Sequence, residues 1–359
     1  MTQNFENSIL GFIKPEDWLQ VGFDVERPAD PTSEVWGDVK TDNLVAYWES
    51  LAAEYNLPVM AQFHAFDTEA QKTLRFPVDV HNIEKGLIKV KIDQSERMRA
   101  LLLRGVNAQS ELYERVLRDG YNLAEQVFTR AVVAKNEVLA TGKTTIKENN
   151  LDLTVDYGVP AANTAKTLDF GEGATASVDE QLLALTEEAT SAGYPIDTLY
   201  TSKQDLNRLR KDAGIQKAIN GAMMVGQLVR EADLRQYMSE EYGINRVITQ
   251  DGAYSMPLTM GSNGRPVITS KRLYPTGKYT FMHTGGGKIG DGLWGDPPEV
   301  TAAKFMDVSG SEVSPYVYVS QYAENDPAVV WTKASALFMP VLYNPNALYV
   351  ASYANTAAG

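Results

Sequence analysis

The sequence predicts an α+β protein with one very long helix and several separated groups of short strands. Apolar or small residues recur every three or four positions from Gln109 to Thr141, which indicates a single helix of roughly 50 Å at 1.5 Å per residue. Apolar and polar residues alternate at positions 74–80 and 87–92, and alternating runs return from residue 316 onward, as half-buried strands require. Short helices and strands are mixed between these regions.

Composition and charge limit the possible functions. The chain has 359 residues, 44% of them hydrophobic, which suits a folded soluble protein with more than one core-bearing region. It has no cysteine, so disulfides, thiolate zinc sites and a cysteine nucleophile are excluded. The formal charge of -13 argues against tight binding of nucleic acid and leaves only weak, non-specific contact with DNA. We expect no export signal at residues 1–12 and no membrane span.

The first fifty residues predict an extended, acidic arm. They contain ten carboxylates against three basic side chains, several prolines and isolated aromatic residues, and such a segment needs another surface to lie on. Residues 72–104 have the opposite balance, eight basic against four acidic side chains. We therefore expect these two segments to attract each other.

A β-hairpin is predicted within the basic segment. The strand-like runs at 74–80 and 87–92 flank the polar turn formed by residues 84–86. Because two strands are marginally stable alone, we expect this hairpin to pack on something else.

The remaining elements follow from caps and turns. Gly142 should close the long helix, a strand should occupy 151–155, and 161–176 should be a small-residue linker. Ser177 and Glu180 form a capping box that opens a compact α/β region. Its predicted helices end at residues 192, 211 and 242, and its predicted strands are 196–200, 246–249, 267–268 and 278–282, with a turn at 263–264. The closing strands are predicted at 316–319, 329–332 and 336–342.

No motif predicts catalysis, a cofactor or a bound metal. His64, His81 and His283 are too scattered for a metal site. Glycines at 285, 287 and 290 match the GxGxxG motif of dinucleotide-binding proteins. That motif needs a helix directly after it, and the two prolines at 297 and 298 are incompatible with such a helix. A flexible loop is therefore the better interpretation. Asp291 with Asp296 leaves a cation site open as an alternative, and the basic cluster at 208–211 is interpreted as a charged helix face.

The order of these elements resembles the major capsid proteins of tailed bacteriophages with the HK97 fold, and most closely the lambda-type capsid family. The residues that carry the likeness are the helix end at 139–143, the strand and helix at 198–210, and the closing stretch 326–350. The likeness covers nearly the whole chain.

This resemblance implies a division of the chain and a function. Residues 1–50 would be the N-terminal arm, 51–93 the extended loop, 94–177 the peripheral domain with spine helix 109–141, 178–292 the axial domain, and 293–359 strands that return to the peripheral domain. The protein would form hexamers and pentamers in the icosahedral head shell of a virion, around double-stranded DNA, after assembly in the host cytoplasm. Scaffolding protein, portal and a decoration or cementing protein would be its partners, without an enzymatic role, a cofactor or covalent cross-links.

Inter-subunit contacts are expected where the arm and the extended loop meet a neighbouring copy. The residues predicted to make them are Trp18, Trp36, Arg75, Phe76, Lys85, Lys89, Lys91 and Asn263. Two alternatives remain: an encapsulin-type cargo compartment with the same fold, and a hydrolase that uses paired carboxylates.

Overall fold

We describe the protein from a computed structural model. The structure describes residues 30–51, 78–94, 108–148, 151–172, 174–221, 223, 226–256, 259–260, 266–302, 309–313, 316–325 and 328–356.

Within these residues the chain forms nineteen strands and seven α-helices. The strands are β1 (Trp36–Lys40), β2 (Val45–Leu51), β3 (Val78–Glu84), β4 (Gly86–Gln94), β5 (Lys143–Glu148), β6 (Leu151–Asp156), β7 (Lys166–Asp169), β8 (Thr198–Thr201), β9 (Arg246–Thr249), β10 (Ala253–Ser255), β11 (Thr259–Met260), β12 (Pro266–Val267), β13 (Ser270–Arg272), β14 (Lys278–Met282), β15 (Gly290–Gly295), β16 (Ser309–Val313), β17 (Val317–Asn325), β18 (Ala328–Leu342) and β19 (Leu348–Ala354). The helices are α1 (Ala108–Thr141), α2 (Ala161–Thr164), α3 (Val178–Ser191), α4 (Lys203–Lys211), α5 (Ala213–Asn220), α6 (Glu231–Tyr242) and α7 (Pro298–Ala302).

A six-stranded sheet is organised around β18, which is 15 residues long. The first half of β18 pairs with β17 and its second half pairs with β15, while β4 runs along its opposite edge. Strand β1 joins the outer edge of β15 in parallel, and β16 pairs with β17. Strand β18 therefore holds together segments that lie far apart in the sequence.

Helix α1 covers one face of this sheet. Its buried residues Val127, Phe128 and Ala131 pack in one cluster with Ala334 and Phe338 of β18. The helix ends at Thr141 because Gly142 adopts a left-handed conformation, with φ at 71°, and donates its N–H to the Val138 carbonyl at 2.7 Å. The prediction of a helix over 109–141 with a glycine cap is confirmed.

A second, five-stranded sheet has the order β7-β19-β14-β8-β9. Helices α3 to α6 contribute to a large apolar core with residues of this sheet such as Leu199 and Phe281. The end of α1 lies against its other side, where the Tyr200 hydroxyl donates to Asn136 Oδ1 at 2.8 Å. The long helix thus packs on both sheets and links them.

Several predictions in this second region are confirmed. The capping box of Ser177 and Glu180 is present, and Gly243 closes α6 with φ at 74°. Strands β9 and β14 have the predicted bounds, and α4 ends at Lys211.

Other predictions are wrong. Strands β3 and β4 flank the predicted turn but do not pair, because β3 pairs with β2 and β4 with β18. The predicted linker contains α2 and β7, the two predicted strands at 329–332 and 336–342 are one, and α5 was not predicted. The turn predicted at 263–264 lies outside the described residues.

The GxGxxG segment also differs from the expectation of a flexible loop. Gly290 is buried and begins β15, and a Cβ on it would lie 2.1 Å from the Val341 carbonyl oxygen. A strand follows the motif, so the helix that dinucleotide binding needs does not form there. No helix in the described part of the chain is long and apolar enough to span a membrane.

Candidate assembly surface

The face of the six-stranded sheet opposite α1 carries polar and aromatic side chains. Along β4, Ile88 and Val90 pack with the core beneath α1, so the alternation of a strand turns Lys89 and Lys91 to the opposite face. We call this surface the outer sheet face; it comprises Lys89, Lys91, Tyr322, Trp331 and Lys333.

A carboxylate from α7 organises one end of the outer sheet face. Glu299 accepts a contact from Lys89 at 2.9 Å and one from Lys333 at 2.5 Å, and its side chain is only 15% exposed. Burial alone would raise its pKa, but the hydrogen bonds from Lys333 and Lys89 outweigh burial and lower the pKa of Glu299 to about 2. Sequence reasoning missed Glu299, because no local pattern links residue 299 to β4.

Lys91 lies further along the same face. Its ammonium group sits 3.7 Å from the ring centroid of Trp331, in cation–π geometry, and 3.4 Å from the Tyr322 hydroxyl. Lys89 and Lys91 were both expected to meet an acidic arm. In the structure Lys89 contacts Glu299, and Lys91 contacts Trp331 and Tyr322 of the same chain. A role between subunits stays a prediction for both lysines.

Trp36 and Lys85 are placed inside the chain. Trp36 is 1% exposed and begins β1, so the end of the predicted arm is part of the chain's own sheet. Lys85 is 3% exposed and donates to the carbonyl oxygens of Thr41 at 2.9 Å and Trp294 at 3.1 Å. Burial lowers the pKa of Lys85. Both side chains are buried within their own chain, and a role between subunits stays a prediction for both.

A buried ion pair fixes β1 against α1. Lys135, 3% exposed, lies 2.9 Å from Asp38 Oδ1, which also accepts the Trp294 indole N–H at 2.6 Å. The pairing partner could not be found from the sequence, since Asp38 is almost a hundred residues away.

Strands β2 and β3 form an antiparallel pair that brackets residues 52–77. Leu51 pairs with Val78 nearest that interval, and Trp48 stacks on His81 with ring centroids 5.0 Å apart. On this pair and just before it, Leu44 and Tyr47 are 50% and 54% exposed. The strands at the base of any extended loop are therefore β2 and β3, not β3 and β4.

The residues considered for catalysis or metal binding are not brought together. Asp291 accepts from the Tyr343 hydroxyl, whereas Asp296 pairs with Lys40 at 2.8 Å. The Nδ1 atom of His283 lies 2.6 Å from the Pro195 carbonyl oxygen. Among the described residues, no group of three or more potential ligands could hold a metal ion.

Four of the predicted contact residues and one histidine cannot be placed. Trp18, Arg75, Phe76, Asn263 and His64 lie outside the described residues. Their predicted roles are unchanged by the structure.

Comparison with known proteins gives one family match. The sequence model of the family described as Phage major capsid protein E matches residues 122–352. This interval begins inside α1 and includes both the five-stranded sheet and β18. No curated protein matches the chain.

The fold is shared with solved structures. A crystal structure assigned as the capsid protein of an Escherichia coli prophage has a TM-score of 0.56 and 12% identity, with 95% of this chain and 99% of that chain covered. A phage-related protein from Bordetella bronchiseptica has a TM-score of 0.49 and 9% identity, covering 94% and 96% of the two chains. A structure from Mycobacterium phage Adephagia has a TM-score of 0.46, 13% identity and coverage of 94% and 93%. The likeness to the prophage structure is one of fold, and the expected HK97-like α+β fold is confirmed.

Proposed function

The chain belongs to the phage major capsid protein E family, and we propose that it self-assembles into hexamers and pentamers of an icosahedral head shell enclosing double-stranded DNA. The observation that carries this proposal is the family match over residues 122–352, which includes most of the framework formed by α1 and the two sheets. The family is structural, so no enzymatic activity is assigned. The shell would be assembled in the host cytoplasm and found in the virion.

The architecture supports a role as a shell subunit, because large sheets and one long helix resist deformation. Helix α1 has 34 residues and packs on both sheets, so the two core regions would move as linked parts of one subunit. The net charge of -13 suits an inner wall that does not trap a polyanion, so contact with packaged DNA would be weak.

We assign the parts of the chain as the resemblance implies, with one change. Residues 1–50 would contribute an arm that β1 anchors in the subunit's own sheet. The extended loop would be built on the β2 and β3 pair, with the intervening residues 52–77 reaching a neighbouring copy. The five-stranded sheet and helices α3 to α6 would form most of the axial domain, residues 178–292.

Among the predicted contact residues that the structure describes, Lys91 is best placed to meet another copy. It is exposed and its charge has no carboxylate partner among the described residues, whereas Lys89 is paired with Glu299. The exposed apolar residues Leu44 and Tyr47 would add buried area at such an interface.

The further partners in this proposal are a scaffolding protein, a portal and a decoration or cementing protein on the outside of the shell. They follow from the proposed assembly pathway, in which a closed shell needs size control and an entry for DNA. The match to a phage capsid family supports a viral shell over a cargo compartment.

The test is electron microscopy and analytical sedimentation of the purified protein, expressed alone and with the products of its neighbouring genes. Closed shells, or rings of five and six, are the expected particles. A monomer under every condition, at concentrations up to tens of micromolar and with a scaffold candidate present, would refute assembly as the function. A cargo enzyme inside the particles, in place of DNA, would refute the viral role and support the compartment.

A further inference from the structure

The short strands between β9 and β14 form a two-stranded extension, which we call the ribbon. In the ribbon β10 pairs with β13, and β11 pairs with β12, both antiparallel. All three residues of β13, Ser270–Arg272, are exposed. Because neighbouring side chains of a strand point to opposite faces, both faces of β13 reach solvent. Two strands without a covered face are marginally stable in water, so the ribbon needs a surface to lie on.

The ribbon carries exposed apolar and basic side chains. Ile268 is 73% exposed and Val267 is 46% exposed. Residues 252–272 contain three basic side chains and no carboxylate, in a chain whose net charge is -13. Arg272 is paired with a carboxylate at 3.5 Å, whereas Lys271 has no ion pair within the described part of the chain. Such a surface fits a partner that combines exposed apolar side chains with carboxylates.

Helix α3 presents a surface with these properties. The helix contains four carboxylates and no basic residue. Glu180, Leu183 and Glu187 are exposed and lie three or four residues apart, which places them on one face of the helix. Leu183, at 44% exposure, lies between the two carboxylates, and Glu187 has no ion pair among the described residues. This face of α3 is therefore apolar at its centre and acidic at both ends.

We propose that the ribbon of one copy docks on the exposed face of α3 of a second copy, with Ile268 against Leu183 and Lys271 against Glu187. Both surfaces are exposed in the same chain, so they do not cover each other within one subunit. The contact joins two different patches, and such head-to-tail contacts close into rings when the rotation between copies allows it. The inference rests on the proposed function and names two surfaces through which the copies of one ring would meet.

Packaged DNA is the other acidic partner that a basic ribbon could contact, but the exposed side chains favour a protein. Contacts with DNA go mostly to phosphate and sugar, and Ile268 and Val267 have no hydrogen-bonding group to offer them. Burial of these apolar side chains instead stabilises a protein interface. Because exposed ion pairs are individually weak, the apolar contact would supply most of the affinity and the charges would set the register.

The test is disulfide formation between two engineered chains, because the chain has no cysteine of its own. One chain carries Ile268→Cys and the other carries Leu183→Cys, and the two are mixed before assembly and then oxidised. The matched control replaces the second chain with Leu151→Cys, since Leu151 on β6 is a leucine of similar exposure, 48%. Mass spectrometry identifies the linked peptides, and electron microscopy of the same samples records rings and shells.

The mixed disulfide should form about fivefold faster, or more, with Leu183→Cys than with Leu151→Cys. Adding Lys271→Glu to the first chain should slow this reaction by about threefold to fivefold, the effect of one exposed ion pair. Adding Glu187→Lys to the second chain as well should restore the rate, because the ion pair forms again with its signs exchanged. Thermal unfolding of each variant checks that the fold is kept.

Equal rates with Leu183→Cys and Leu151→Cys would overturn the proposal, and so would a charge exchange that does not restore the rate. Equal rates together with binding of a short DNA duplex that Lys271→Glu abolishes would assign the ribbon to DNA instead. Particles are scored separately. Shells without the faster disulfide would overturn this docking alone, the faster disulfide without rings or shells would overturn the proposed function alone, and the absence of both would overturn both.

Discussion

Removing the carboxylate of Asp38 should destabilise the subunit strongly, although Asp38 lies in a segment that the sequence predicts to be an extended arm lying on another surface. Its Oδ1 atom is 2.9 Å from Lys135 Nζ and 2.6 Å from the Trp294 indole nitrogen. Asp38→Ala would leave the Lys135 ammonium group buried, at 3% exposure, without its counter-charge.

The expected loss is about 3–5 kcal/mol, the usual cost of removing one partner from a buried ion pair. The matched variant Asp38→Asn with Lys135→Met removes both charges and retains an amide oxygen for the indole N–H. It should change stability by about 1 kcal/mol or less, because the cost in the single variant arises from the unpaired charge and not from the lost attraction. Asp38→Asn alone should fall between the two.

The measurement is urea unfolding of the unassembled chain, followed by tryptophan fluorescence, with the free energy of unfolding compared among the three variants and the original sequence. If Asp38→Ala costs less than about 1 kcal/mol, the ion pair does not fix β1 to α1 as described. A double variant as unstable as Asp38→Ala would show that the packing of these side chains matters and the charge does not.

Three further outcomes are expected. Gly290→Ala should destabilise the chain by about 3 kcal/mol or more, or prevent soluble expression, because the added Cβ would lie 2.1 Å from a backbone oxygen. Gly287→Ala is the control and should be tolerated in the same unfolding assay, because the nearest atom to its added Cβ is 3.5 Å away. Glu299→Gln should reduce stability at pH 7 by about 3 kcal/mol at most. The pKa of Glu299 falls from 4.5 to about 2 on folding. The stability difference between the variant and the original sequence should therefore be complete above pH 4.5 and shrink as the pH falls toward 2. A stability difference that does not change in unfolding curves between pH 7 and pH 3 would contradict the ion-pair explanation. Lys91→Glu should reduce the yield of shells in sedimentation, while the free energy of unfolding changes by about 1 kcal/mol or less. Lys217→Glu, at an exposed position of α5, serves as its control. Equal shell yields for the two variants would remove Lys91 from the interface.

Local sequence patterns determined the elements whose stability comes from short-range contacts. The stripe of apolar residues in α1, the glycine at 142 and the capping box at Ser177 act over one or two helical turns, so they can be identified without knowing the rest of the fold. The order of these elements was also sufficient to indicate the capsid fold.

Pairing between distant segments was decided by the tertiary structure. The alternation in β3 and β4 shows that both are strands, but a period of two residues carries no information about which strand lies alongside, and β2 and β18 were the partners. The same holds for charge. The sequence shows an acidic segment and a basic one, whereas only the fold shows that Lys89 meets Glu299 and that Lys135 meets Asp38, because an ion pair depends on distances in space that packing sets.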